Sequence, residues 1–179
     1  MSKWSEHVEL YSECHDCELC NRRKNIVLAR GKLPCDILFI GEAPGTAEDI
    51  FGIPFVGPAG KLLDRVIAEA IGETYRLAFT NLIACIPKDE DGVKVTEPPE
   101  WAIEACSERL QNLIELANPD AVVLVGKEAA KHAELPSGIP YAEIIHPAAI
   151  LRMDISQKGL AYQRSVVAVE DLAAMVIPF

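Results

Sequence analysis

Ala121-Val122-Val123-Leu124-Val125-Gly126, followed by Lys127 to His132, is the stretch that decides the fold. Five apolar residues, three of them valine, end at a glycine and give way at once to a helical pattern. This is a buried strand feeding a helix. Working outward, Asp36-Ile37-Leu38-Phe39-Ile40 is a second short buried strand, ended by Gly41. Arg76 to Ile83 reads as a third, and Ile144-Ile145 as a short last strand ending at His146-Pro147. Between them, Gly60 to Ala70 is helical, with Leu62, Leu63, Val66, Ile67 and Ala70 on one face and Gly72 as its stop. Pro98-Pro99 opens a helix that runs to Leu116, its apolar stripe supplied by Trp101, Leu110, Leu113, Ile114 and Ala117. Ala161 to Val176 closes the chain as a helix. Strands alternating with helices predict an α/β fold. The architecture expected is a single-domain three-layer α/β/α sandwich over residues 1–179, with a short, mainly four-stranded parallel sheet.

The 179 residues suit one domain with one sizeable core. Half of them are hydrophobic, which excludes a disordered chain. No apolar run approaches ~20 residues, so no membrane helix is expected. The opening residues show no signal-peptide core, and a cytoplasmic, monomeric protein is the expectation. The net charge of −10 argues against binding nucleic acid by bulk electrostatics alone, although a local basic face remains open. Much of the acidity lies between Asp89 and Glu108, and the cations are scattered: Arg22-Arg23-Lys24, Arg30, Lys32, Lys61, Arg65 and Arg152.

In a parallel α/β sheet the site lies at the carboxyl ends of the strands. Three polar strand ends should therefore meet: Gly41-Glu42, Thr80-Asn81 and His146-Pro147. Gly41-Glu42-Ala43-Pro44-Gly45 can turn tightly and approach a ligand closely. Phe55, in a glycine-rich loop, can stack on a flat base or can simply be core. Asn81 offers a donor and an acceptor that fit an imide edge, or it can serve as a turn residue. His146 heads His146-Pro147-Ala148-Ala149-Ile150-Leu151-Arg152.

Six cysteines are too many to ignore, and structural disulfides are not expected in a reducing compartment. Cys14, Cys17 and Cys20 cluster, while Cys35, Cys85 and Cys106 stand apart. The pattern points to a metal centre. Spacing alone leaves zinc, held by Cys14, Cys17, Cys20 and His15 or a distant residue, on a par with iron.

In order and spacing these segments resemble family 4 uracil-DNA glycosylases, the iron–sulfur branch of the uracil-DNA glycosylase superfamily. The likeness runs from Cys14 to the closing helix. Its most specific part is Gly41 to Gly45 with Glu48-Asp49, then Phe55-Val56-Gly57, Ala59-Gly60 and Leu62-Leu63. The resemblance implies a [4Fe–4S] cluster on Cys14, Cys17, Cys85 and Cys106, within an N-terminal iron–sulfur-binding arm, and leaves Cys20 and Cys35 out. It implies excision of uracil flipped from single- or double-stranded DNA. Phe55 would stack on the base, Asn81 would pair with O4 and N3–H, and Glu48 would exclude a thymine methyl. His146 would donate to the developing anion at O2, helped by backbone N–H groups around Glu42 and Ala43. Ala43 stands where a better-known branch carries an aspartate, which leaves Glu42 as the carboxylate for positioning water. Pro44, Gly45, Lys61, Pro147, Leu151 and Arg152 would contact DNA, with the Leu151-Arg152 loop as a wedge and Arg22-Arg23-Lys24 on phosphates. Two loops depart from the family pattern: the acidic Ile86–Pro98 stretch and the short Gly126–His146 stretch. A catalytically weak iron–sulfur DNA-binding or replication-accessory domain of the same fold is the alternative, and an electron-transfer protein a third.

Overall fold

The computed structural model describes residues 2–177. Five strands form one sheet: β1 (Arg30–Gly31), β2 (Ile37–Gly41), β3 (Leu77–Asn81), β4 (Ala121–Val125) and β5 (Tyr141–Ile144). Their order is β1-β3-β2-β4-β5. The four longer strands are parallel, and only the two-residue edge strand β1 runs antiparallel, against β3. Among the described residues seven α-helices accompany them: α1 (Lys3–Tyr11), α2 (Thr46–Phe51), α3 (Pro58–Ala70), α4 (Glu100–Ala117), α5 (Lys127–His132), α6 (Pro147–Arg152) and α7 (Ile155–Ala173).

Period-two alternation along the strands sorts the core into two layers. Leu38 and Ile40, Val122 and Leu124 face one way, onto Ala102, Ile103, Leu110 and Ile114 of α4 and Ala129 of α5. Ile37 and Phe39, Val123 and Val125 face the other way, onto Leu63, Val66 and Ile67 of α3 and Val166, Val169 and Leu172 of α7. The result is the three-layer sandwich expected from the pattern. Both faces are covered, which is why β2 and β4 are continuous apolar runs rather than alternating ones. The chain leaves β2 toward β3 on one side and later returns to β4 on the other. The carboxyl end of β2 is therefore a topological switch point, where a crevice forms.

Several boundaries differ from the sequence reading. The third strand starts at Leu77 and stops at Asn81, so Leu82 and Ile83 lie beyond it. β5 starts at Tyr141 and ends before Ile145. The closing helix begins six residues earlier than Ala161 and ends at Ala173. Trp101 is 44% exposed and does not belong to the buried stripe of α4. Leu151-Arg152 is the last turn of α6, not a loop. Among the described residues no helix is long and apolar enough to cross a membrane.

Candidate active site and cysteine cavity

β2 and β3 are in register with Gly41 opposite Asn81. The Phe55 ring comes to the same point from the loop before α3. A Cβ built on Gly41 would fall 2.5 Å from Phe55 Cζ and would also collide with the Asn81 amide oxygen. Only glycine permits this convergence. Phe55 itself has φ +57°, a backbone state that costs a bulky residue strain and clusters at functional sites. It is 6% exposed and lies 6.1 Å, centroid to centroid, from Phe79, so it is both a core residue and the wall beside Asn81. Asn81 is 2% exposed. Its backbone carbonyl accepts from Arg109, but among the described residues its side-chain amide has no hydrogen-bond partner. A turn asparagine would use that amide on backbone.

Beside this pair opens a large cleft lined by Glu42, Ala43, Pro44, Gly45, Gly126, His146 and Arg152, and across from them by Lys94, Thr96, Glu97 and Lys127. Gly41, Phe55 and Asn81 adjoin it through Glu42 and are not among its lining residues. His146 sits over Gly126, whose φ is +94° and where a Cβ would fall 2.9 Å from that of His146. The imidazole caps α6: its Nδ1 accepts from the Ala148 N–H at 3.2 Å. Burial, with Arg152 nearby, holds its pKa below the ordinary histidine value. The ring is thus neutral with its proton on Nε2, a donor free to act in the cleft. Glu42 is half-buried, and burial, reinforced by Glu128 and Glu97, raises its pKa. Glu48 spans two turns: its carboxylate accepts from the Gly45 N–H at 3.1 Å and the Gly57 N–H at 2.8 Å. It thereby fixes the loops that carry Gly45 and Phe55.

The expected DNA contacts are brought together only in part. Pro44, Gly45 and Arg152 line the cleft, and Leu151 and Arg152 border an adjoining groove with Ile50 and Phe51. Pro147 is buried as the first residue of α6, and Lys61 is exposed on α3, away from both. Of the Arg22-Arg23-Lys24 run, Lys24 is exposed and the two arginines make bonds within the protein. Arg22 donates to the Lys88 carbonyl, and Arg23 donates to the Cys14 carbonyl at 2.7 Å and to Cys85 Sγ at 3.2 Å. The acidic loop does border the cleft, through Pro87 and residues 94–97. Lys94 and Lys127 went unrecognised as cleft residues, although Gly126 ending a strand was the available signal for the second.

A separate cavity lies behind the site. Cys14, Cys17, Cys85 and Cys106 all line it, together with Tyr11, Asp16, Arg23 and Arg109. Cys20, in a short 3-10 turn (Glu18–Asn21), does not, and Cys35 is buried at the start of β2. Among the described residues no three His, Cys, Asp or Glu side chains converge closely enough for a single ion. The four thiols share the lining of this one cavity.

The chain belongs to the uracil DNA glycosylase superfamily, whose family model matches residues 29–171. Among curated relatives, the type-4 uracil-DNA glycosylase of Saccharolobus solfataricus is 41% identical over 121 residues, 67% of this chain and 54% of that protein. Those of Sulfurisphaera tokodaii (36% over 132 residues) and Thermotoga maritima (37% over 128) match 73% and 69% of this chain, and 58% and 64% of their own lengths. The chain thus spans less than two thirds of the relatives it matches. Cys14 and Cys17 precede the region that the family model covers.

Proposed function

We propose that this protein is a uracil-DNA glycosylase that flips uracil out of DNA and hydrolyses its N-glycosidic bond. The observation that carries the reading is the meeting of the Phe55 ring and the unpaired Asn81 amide at Gly41, with the neutral His146 on the same side of the sheet just past the end of β5, two strands from β2. The names of the relatives point the same way. Asn81 reads O4 and N3–H of uracil and rejects cytosine, whose donor–acceptor pattern is reversed. Phe55 supplies the face on which the base stacks. As the bond to C1′ breaks, His146 donates to the anion at O2, a contact typically worth ~3–4 kcal/mol in the transition state. Glu42 orients the water that captures the cationic sugar.

Cys14, Cys17, Cys85 and Cys106 fit a [4Fe–4S] cluster, since four thiols from three segments face one cavity. When bound, the cluster supplies a cross-link between the N-terminal arm, the turn after β3 and α4; the reaction steps fall to the residues above. The reading is tested with iron-loaded protein on single- and double-stranded uracil DNA, followed by alkaline strand cleavage. Cleavage at uracil is the expected result. Intact strands in both substrates would remove the enzyme and leave the accessory-domain alternative.

A further inference from the structure

Arg109 lies within α4 and is 3% exposed. Its Nη2 donates to the backbone carbonyls of Asn81 at 2.6 Å and Leu82 at 2.7 Å, and its Nη1 to Thr80 Oγ1 at 3.1 Å. Thr80 in turn donates to the Leu28 carbonyl at 2.7 Å. One fork thus holds three consecutive residues at the end of β3, where the Asn81 side chain projects to Gly41. Among the described residues the Arg109 Nε–H has no hydrogen-bond partner. The same side chain lines the cysteine cavity beside Cys85 and Cys106. The ionisable groups nearest its charge are the Cys106 and Cys85 thiols and the Tyr11 hydroxyl, with His7 also within its field, and the Asp16 and Glu108 carboxylates line the same cavity.

A buried guanidinium is costly unless an anion faces it and its donors are used. Carbonyl dipoles and the Thr80 hydroxyl satisfy part of the fork, and on the cavity side Cys85 and Cys106 would add thiolate charge when holding iron. We infer that Arg109 is a positioning residue that couples the cysteine cavity to base reading. On one side it fixes the Asn81–Leu82 backbone; on the other its charge lies at the cavity that Cys85 and Cys106 line. This rests on the glycosylase and cluster readings above. It gives the cluster a second consequence besides cross-linking: the groups around it set where Asn81 stands, as outer-shell partners orient the ligands of other metal sites.

The test compares iron-loaded wild type with Arg109→Met and Arg109→Lys in single-turnover excision, half-saturating DNA concentration, cluster reduction potential and iron loss to a chelator. Arg109→Met should lower the maximal excision rate by ~10–100-fold, as expected for lost charged hydrogen bonds, with DNA half-saturation within ~2-fold because the change acts on orientation rather than grip. Its cluster potential should fall, since a nearby cation favours the reduced cluster, and iron should leave at least ~10-fold faster. Arg109→Lys restores the charge but not the fork. It should recover potential and iron retention while excision stays at least ~10-fold down, because one ammonium cannot span two carbonyls and a hydroxyl. Wild-type excision and potential in Arg109→Met would overturn the inference. Should Arg109→Met not fold, full excision by Arg109→Lys would overturn it, and failure of both variants to fold would reduce the residue to a folding role. Iron-loaded wild type without excision would sink the glycosylase reading instead, and the potential and iron-loss measurements would still decide whether Arg109 faces the cluster.

Discussion

β2 is flanked by a carboxylate at each end, and the two are treated in opposite ways. Asp36, just before the strand, is fully buried, and every acceptor it has is used. Its carboxylate accepts from the Arg76 N–H at 2.6 Å and from the Arg76 guanidinium at 2.8 and 3.1 Å, and its carbonyl accepts from the N–H groups of Asp120 and Ala121. Burial alone would raise its pKa, but the bonds to Arg76 outweigh that and hold it low. Glu42, just after the strand, has no side-chain hydrogen bond among the described residues, and its pKa is raised. The same contrast extends across the sheet: at the carboxyl ends the Asn81 amide and the His146 Nε2 are also left without partners. Buried polar groups in folded proteins are normally paired. A sheet that satisfies one end and leaves the other open separates scaffold from site.

The largest effect that could break this comparison is at His146. His146→Ala should slow single-turnover excision by ~100-fold or more, because the donor acts on the charge-developed transition state. Binding to abasic product DNA should change little. Equal loss of both would make the histidine a fold residue. At the opposite end, Asp36→Ala should cost about 2–3 kcal/mol of stability by removing the buried acceptor of the Arg76 N–H and guanidinium bonds, read as a lower denaturant midpoint, while the folded fraction excises normally. The folded-state pKa of Asp36 is depressed, so its contribution is complete above the unfolded value near ~4 and fades as pH falls through the folded one. A normal midpoint with impaired excision would reverse the two ends. The smallest effect is in pH dependence. Glu42 is raised and His146 lowered, so the two move toward one another and both reach their working forms as pH rises. Acid protonates Glu42 above the usual glutamate range, and it places a proton on His146 Nδ1 that faces the Ala148 N–H. Excision should therefore fall more steeply than one proton allows, and Glu42→Gln should reduce the limb to a single proton with a plateau only a few-fold (~3–10) lower. An unchanged limb in Glu42→Gln would exclude Glu42 from the chemistry.

The sheet and its carboxyl-end site were legible because buried parallel strands are continuous apolar runs with glycine stops, as in Ala121–Gly126. The elements missed carry weaker signals. α1 is short, and of its nine residues only His7 and Tyr11 are buried. β1 has two residues and no period. α6 was announced by His146 as a cap and Pro147 at the first helical position, a pairing that reads as a turn when helix length is not known. The cysteine set was chosen by family likeness rather than spacing, and the cavity separates it from Cys20 through a fold contact no local pattern encodes. The part played by Arg109 was also invisible, because an arginine inside an acidic helix reads as surface until the packing of α4 on β3 buries it.

The central claim is that the unpaired Asn81 amide reads the base. It is tested by free-base release from otherwise identical single-stranded oligonucleotides carrying uracil, cytosine or thymine, using iron-loaded wild type and Asn81→Asp. Wild type should release uracil at least ~100-fold faster than the other two, since a site built to hydrogen-bond one edge leaves its groups unpaired against another. Asn81→Asp should slow uracil release and narrow the gap to cytosine. Unchanged uracil release by Asn81→Asp, with the same preference over cytosine, would make Asn81 a turn residue and contradict the account.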